Sequence, residues 1–158
     1  MNKIGFTIGK FAPFHKGHEY LIKTALKEMD KVYVIIYETN VIDIPIEQRA
    51  KWIQKLYPEV NILYAINPPM QYGLDKESVR IQVEYIKKII KDIPVTHFFS
   101  SEEYGKYVAE YLNIEDRRVD NNRININISA TDIRNNIEIY IKYLSDTVYQ
   151  DIRQKNAK

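Results

Sequence analysis

Two histidines, His15 and His18, lie three positions apart in the segment Gly9-Lys10-Phe11-Ala12-Pro13-Phe14-His15-Lys16-Gly17-His18. The chain has three histidines in all. An apolar, strand-like run (4–8) precedes the segment, and a helix-like run (19–29) follows it. The turn from a strand into a helix favours anions, because free backbone N–H groups and the helix dipole converge there. Imidazoles at such a turn can donate to phosphate oxygens in either protonation state. Lys10 adds a cation, and Gly9 and Gly17 would let backbone approach a phosphate closely. The plainer alternative is that the histidines cap the helix or pack quietly. His97 lies within a predicted strand and reads as structural.

A second polar cluster is Ser129-Ala130-Thr131-Asp132-Ile133-Arg134. Ser129 is a good N-cap, and Asp132 three residues on completes a pattern close to a capping box. Capping alone would explain the segment. The alternative adds Arg134, about one and a half turns along the same helix. Hydroxyls, free N–H groups and a guanidinium together make a polyphosphate clamp.

The elements that must hold these clusters follow from periodicity. Strands are predicted at 4–8, 32–37, 61–66 and 96–99. Helices are predicted at 17–29, 47–57, 76–90 and 102–112, with shorter ones at 131–135 and 138–144. The run 32–37 is continuously apolar, as a strand buried on both faces would be. The alternation of Ile124, Ile126 and Ile128 suggests a short edge strand or extended loop. The alternating order predicts an α/β fold: one doubly wound parallel sheet in a single domain, 1–158, with a helical C-terminus and a polar, fraying tail from about residue 151. Ligands of such sheets bind beyond the carboxyl ends of the strands.

Composition narrows the function. The 158 residues suit one domain, and the net charge of +2 gives no concentrated basic face for nucleic acid. Arg117, Arg118 and Arg123 cluster, but Glu115, Asp116 and Asp120 sit among them, which reads as solvated surface. The absence of cysteine excludes disulfides, thiolate metal sites and a cysteine nucleophile. No apolar run approaches the ~20 residues that span a bilayer, and the first residues carry no signal-peptide core, so a cytoplasmic protein without membrane or nucleic-acid partners is expected.

Together the patterns G-K-F-x-P-x-H-x-G-H and I-S-x-T-x-I-R resemble the nucleotidylyltransferase superfamily, which has a Rossmann-like α/β fold. Within it the chain is most similar to nicotinamide mononucleotide adenylyltransferases of the type found beside a ribosylnicotinamide kinase domain. Four segments carry this: Gly9-Lys10-Phe11, Pro45 to Trp52, Ser100-Ser101-Glu102 and Val119 to Arg123. No kinase domain is expected within these 158 residues.

The resemblance implies transfer of the ATP adenylyl group to nicotinamide mononucleotide by in-line attack of the acceptor phosphate, releasing pyrophosphate. It implies catalytic roles for His15, His18, Lys10 and Arg134. Gly9, Phe11, Ala12, Ser129, Thr131, Asp120, Asn122 and Arg123 would bind nucleotide and phosphates. Ser100, Ser101, Glu102, Arg49, Trp52 and Tyr72 would serve the acceptor. Mg²⁺ would sit on the phosphates with several waters and no protein cage. Relatives form homo-oligomers of several kinds, so the partners expected are small nucleotides and further copies of the chain.

One departure concerns the acceptor. The related group carries tryptophans near the nicotinamide, after strand three. Here 67–84 contains none, leaving Tyr72 in that region and Trp52, the chain's single tryptophan. The competing functions are a cytidylyltransferase or adenylyltransferase with another phosphorylated acceptor, and a non-catalytic nucleotide sensor. Intact His15, His18 and Arg134 argue against the sensor.

Overall fold

The computed structural model describes residues 2–70, 73–120 and 128–156. Five strands form one parallel sheet in the order β3-β2-β1-β4-β5. The strands are β1 (Ile4–Gly9), β2 (Lys31–Tyr37), β3 (Asn61–Ala65), β4 (His97–Ser100) and β5 (Glu115–Arg118). Helices α1 (Lys16–Glu28), α2 (Ile46–Leu56), α3 (Lys76–Ile90) and α4 (Tyr104–Leu112) connect them in turn. The chain order steps outward from β1 to β3, then returns across the sheet to β4. The strand order therefore reverses between β1 and β4, and this is where a ligand crevice opens in sheets of this kind.

Each face of the sheet has its own core, because β2 is apolar on both sides. Val32, Val34 and Ile36 face a cluster with Ile22 of α1 and Ile53 of α2. Ile35 faces the other way, with Phe6, Phe98, Ile86 of α3 and Val108 of α4. Phe6 and Phe98 are register partners on β1 and β4, and their rings meet at 4.8 Å. Crossovers on opposite faces follow from right-handed βαβ connections taken in opposite directions along the sheet.

The C-terminal region differs from the sequence expectation. After α5 (Ala130–Asn135) and a 3₁₀ turn (Ile141–Tyr143), α6 runs from Asp146 to Asn156. Residues 151–156, expected in a fraying tail, are instead the second half of this helix. Val148, Tyr149 and Ile152 are buried against the α2 side of the sheet, and this apolar stripe outweighs the polar residues around it. The fifth strand was also hidden in the sequence. Its residues, Glu-Asp-Arg-Arg, carry no apolar pattern, because it is a short charged edge. Arg117 pairs with Glu28, and Arg118 with Asp116 and Glu103. The Arg117 hydrogen bonds hold the Glu28 carboxyl below its usual range. The Ile124–Ile126 alternation lies outside the described residues.

Gly105, in the first turn of α4, is set by a contact. A Cβ there would lie 2.2 Å from Ser100 Oγ and 3.2 Å from an Asp116 carboxylate oxygen. Gly→Ala within a helix normally stabilises. Here Gly105→Ala is expected to cost about 1–3 kcal/mol through overpacking. Thermal denaturation checks this, and a midpoint at or above the parent value would contradict it.

Candidate active site

A cleft of about 610 Å³ opens at the carboxyl ends of β1 and β4, at the reversal of strand order. Its walls come from the Gly9–Ala12 turn, the first turn of α1, the Ser100–Glu102 turn, Asp120 and the start of α5. Lys10, His15, His18 and Arg134 all reach it, so the two clusters separated by more than a hundred residues in sequence converge on one site.

The histidines cap the helix and line the cleft at once, so the two roles are not alternatives. His15 is the N-cap of α1, and its Nδ1 accepts the Gly17 N–H at 3.0 Å. His18 Nδ1 accepts the His15 N–H at 3.1 Å, closing a capping box. An imidazole that accepts at Nδ1 carries its proton on Nε2, so capping fixes both tautomers. Each ring therefore presents an N–H at its far end. Packing fixes the planes: His15 and His18 stack with centroids 3.7 Å apart. Phe14 stacks on His18 at 5.9 Å, and Phe11 meets it edge-on at 4.8 Å. His15 is 5% exposed, which places its donor in a desolvated setting where it acts strongly on an anion.

The glycines act differently from expectation. The Gly17 N–H is committed to His15 rather than offered to a ligand. Gly9 lines the cleft, and it also makes room for an aromatic ring: a Cβ there would come 3.1 Å from Phe11 Cζ. Phe11 itself has φ +50, a left-handed turn that ends β1 sharply.

Ser129 caps α5, accepting the Asp132 N–H at 3.2 Å, as its spacing suggested. Arg134 then reaches across the cleft. Its Nη1 donates to the Ala12 carbonyl at 2.7 Å and its Nη2 to the Thr131 hydroxyl at 3.2 Å. One guanidinium thereby ties α5 to the histidine turn. Ser101 Oγ donates to the Val119 carbonyl at 2.7 Å, and Ser100 Oγ to that of Glu102 at 3.3 Å, which shapes the rim opposite. Asp120 has φ +52 and lines the cleft.

Two residues expected at the acceptor lie elsewhere. Trp52 is 2% exposed in the core, and its indole N–H donates to Asp151 of α6 at 2.7 Å. Its emission therefore reports the α2–α6 contact. Nicotinamide mononucleotide is expected to leave that emission unchanged, and quenching in a fluorescence titration would contradict the placement. Arg49 is 1% exposed and bonds only backbone carbonyls, those of Lys10, Tyr37 and Ile44. Burial lowers the pKa of its guanidinium, an effect that Glu47 and Glu38 oppose. Both side chains belong to the scaffold beneath the cleft. Tyr72, Asn122 and Arg123 lie outside the described residues.

Sequence reasoning passed over Tyr37, Tyr104 and Gln82, which also line the cleft. Tyr37 ends β2 and Tyr104 opens the helix after β4, so their positions on the carboxyl side of the sheet were the available signal. Burial holds both phenols well above their ordinary pKa, hence neutral donors. Among the described residues no three His, Asp or Glu side chains gather as a metal cage. Glu102 and Asp120 supply single carboxylates at the cleft. That donor set fits a divalent ion carried in on phosphates with its waters.

The pattern of the cytidylyltransferase-like family matches residues 6–136. The chain belongs to that family. Both polar clusters of the cleft fall within the matched span. The chain is 29% identical over 163 residues to the trifunctional NAD biosynthesis/regulator protein NadR of Salmonella typhimurium, covering 92% of this chain and 39% of that protein. It is 29% identical over 124 residues to the sulfate adenylyltransferase of Trichodesmium erythraeum, covering 68% of this chain and 31% of that one. Its fold superposes on a bifunctional NMN adenylyltransferase/ADP ribose pyrophosphatase from Francisella tularensis, complexed with AMP and a Mn ion. The TM-score is 0.61 at 23% identity, over 92% of this chain and 43% of that one. The chain thus spans less than half the length of each protein. The nucleotidylyltransferase kinship and the Rossmann-like fold expected from the sequence both hold. No helix among the described residues is long and apolar enough to cross a membrane.

Proposed function

We propose that the protein transfers the adenylyl group of ATP to the phosphate of nicotinamide mononucleotide, forming NAD and pyrophosphate. The observation that carries this reading is the convergence of His15, His18, Lys10 and Arg134 on one cleft, with both imidazoles held by their Nδ1 caps. An acceptor phosphate oxygen attacks the α-phosphorus, the bond to the β-phosphate bridging oxygen breaks, and pyrophosphate leaves with that electron pair. The attacking phosphate is already an anion, so no strong base is needed, and positioning with electrostatics supplies the acceleration.

His15 and His18 donate to oxygens on which charge grows in the transition state. Lys10 offsets the charge of the transferring group. Ser129, Thr131 and Arg134 hold the β- and γ-phosphates, with the guanidinium already aimed by its bonds to Ala12 and Thr131. Phe11, Ala12, Asp120, Asn122 and Arg123 shape the nucleotide pocket, and Ser100 to Glu102 form the acceptor rim. A bound Mg²⁺ would neutralise phosphate charge, with Glu102 or Asp120 within the same cleft. The setting is NAD biosynthesis in the cytoplasm, and the whole of 1–158 serves as one nucleotidylyltransferase domain.

The similarity to sulfate adenylyltransferases supports a second reading, with the same adenylyl donor and a different anionic acceptor. A panel assay separates the two. Pyrophosphate release is followed with ATP or CTP against nicotinamide mononucleotide, sulfate and other phosphorylated acceptors. Release with ATP and nicotinamide mononucleotide, and not with CTP, is expected. Release only with sulfate, or only with CTP, would replace the proposed substrates.

A further inference from the structure

Arg49 is a buried cation whose hydrogen bonds among the described residues all go to backbone carbonyls. Its Nη1 donates to the Lys10 carbonyl and, at 3.0 Å, to that of Tyr37, while Nε donates to the Ile44 carbonyl at 3.3 Å. Lys10 immediately follows β1, Tyr37 ends β2, and Ile44 lies in the loop that enters α2. One planar group thus gathers the carboxyl ends of two neighbouring strands. Lys10 and Tyr37 both line the cleft, whereas Arg49 does not.

The Lys10–Phe11 peptide is where this matters. A trans peptide is planar, with its C=O and N–H pointing in opposite directions. With the Lys10 carbonyl turned down onto Arg49, the Phe11 N–H is turned away from α2. That N–H makes no hydrogen bond among the described residues, although Phe11 is only 4% exposed. Buried backbone donors are nearly always paired, so an unpaired one at the wall of a cleft is a donor kept for a ligand.

We infer that Arg49 is a positioning residue: its grip on the Lys10 carbonyl holds the Phe11 N–H as a hydrogen-bond donor to the phosphate chain of the bound nucleotide. This rests on the nucleotide reading of the cleft given above. Lysine cannot replace it. A point charge with three divergent donors does not span carbonyls from two strands and a loop, as the planar fork does.

The test measures ATP affinity by calorimetry, with Mg²⁺ and no acceptor, beside the thermal midpoint, for the parent protein, Arg49→Lys and Arg49→Ala. Arg49→Lys keeps the charge and the stem, so it remains the deciding variant if Arg49→Ala does not fold. ATP affinity of folded Arg49→Lys should fall roughly 10- to 100-fold, the loss of one hydrogen bond to a charged group. In Arg49→Ala, added guanidinium ion should recover part of the affinity. A lowered midpoint with parental ATP affinity in Arg49→Lys would mean the residue is merely structural and would overturn the inference. Because binding is read without an acceptor, the two proposals separate. A parent that binds ATP but makes no NAD loses the proposed reaction and leaves this test valid. A parent that binds no ATP overturns both.

Discussion

His18→Asn should lower turnover by at least ~100-fold, the range found when one transition-state donor is removed, while leaving the fold intact. The choice of asparagine follows from the geometry. Its amide oxygen falls near the position of Nδ1, so it can still accept the His15 N–H and preserve the capping box. Nothing remains at the position of Nε2. His18→Gln does the reverse: its longer amide can reach toward the cleft, but the cap is lost. Glutamine should therefore retain more turnover than asparagine and less stability. Single-turnover kinetics and thermal denaturation on both variants check the pair. Near-parental turnover in His18→Asn would remove His18 from the chemistry and leave it a helix cap.

Arg134→Ala should raise the apparent KM for ATP by roughly 10- to 100-fold, the loss of charge-assisted hydrogen bonds, with a smaller effect on the acceptor. The guanidinium does two things: it would grip the leaving phosphates, and it ties α5 to the Ala12 carbonyl. Steady-state kinetics with ATP varied at saturating acceptor separates them. A KM rise confined to ATP supports the phosphate clamp. Unchanged KM with a lowered thermal midpoint would make the arginine only a strut between α5 and the histidine turn. Arg134→Lys is no substitute, since one ammonium cannot hold Ala12 and a phosphate chain in the same geometry.

The site was legible where residue types carry their chemistry locally. Glycine, proline and histidine between an apolar run and an amphipathic one mark a strand-to-helix turn, and Ser129 with Asp132 marks a helix start; both stand in the structure. The helix at 76–90 was legible to the residue, because Val83, Ile86 and Ile90 keep helical spacing; the structure buries all three and adds Asp75 as the cap. What stayed hidden depends on distant contacts. Arg49 and Trp52 sit on one helix with side chains suited to a ligand, yet each finds its partners in the fold: three carbonyls for one, Asp151 for the other. No local pattern distinguishes a ligand-binding arginine from one that binds strand ends. Strand β5 was invisible for a related reason. An edge strand whose arginines pair with Glu28, Glu103 and Asp116 has no need of apolar alternation. Tyr37 was missed because a tyrosine at the end of an apolar run reads as core until the sheet order is known, and Tyr104 because a tyrosine opening an amphipathic helix reads the same way.

The most direct test follows ATP labelled at the α-phosphorus, with Mg²⁺ and nicotinamide mononucleotide, and counts label and pyrophosphate together. The account predicts label appearing in NAD one for one with pyrophosphate released, and both products falling together by at least ~100-fold in His18→Asn. Pyrophosphate released without label in NAD, or label retained in ATP while the nucleotide is bound, would contradict it.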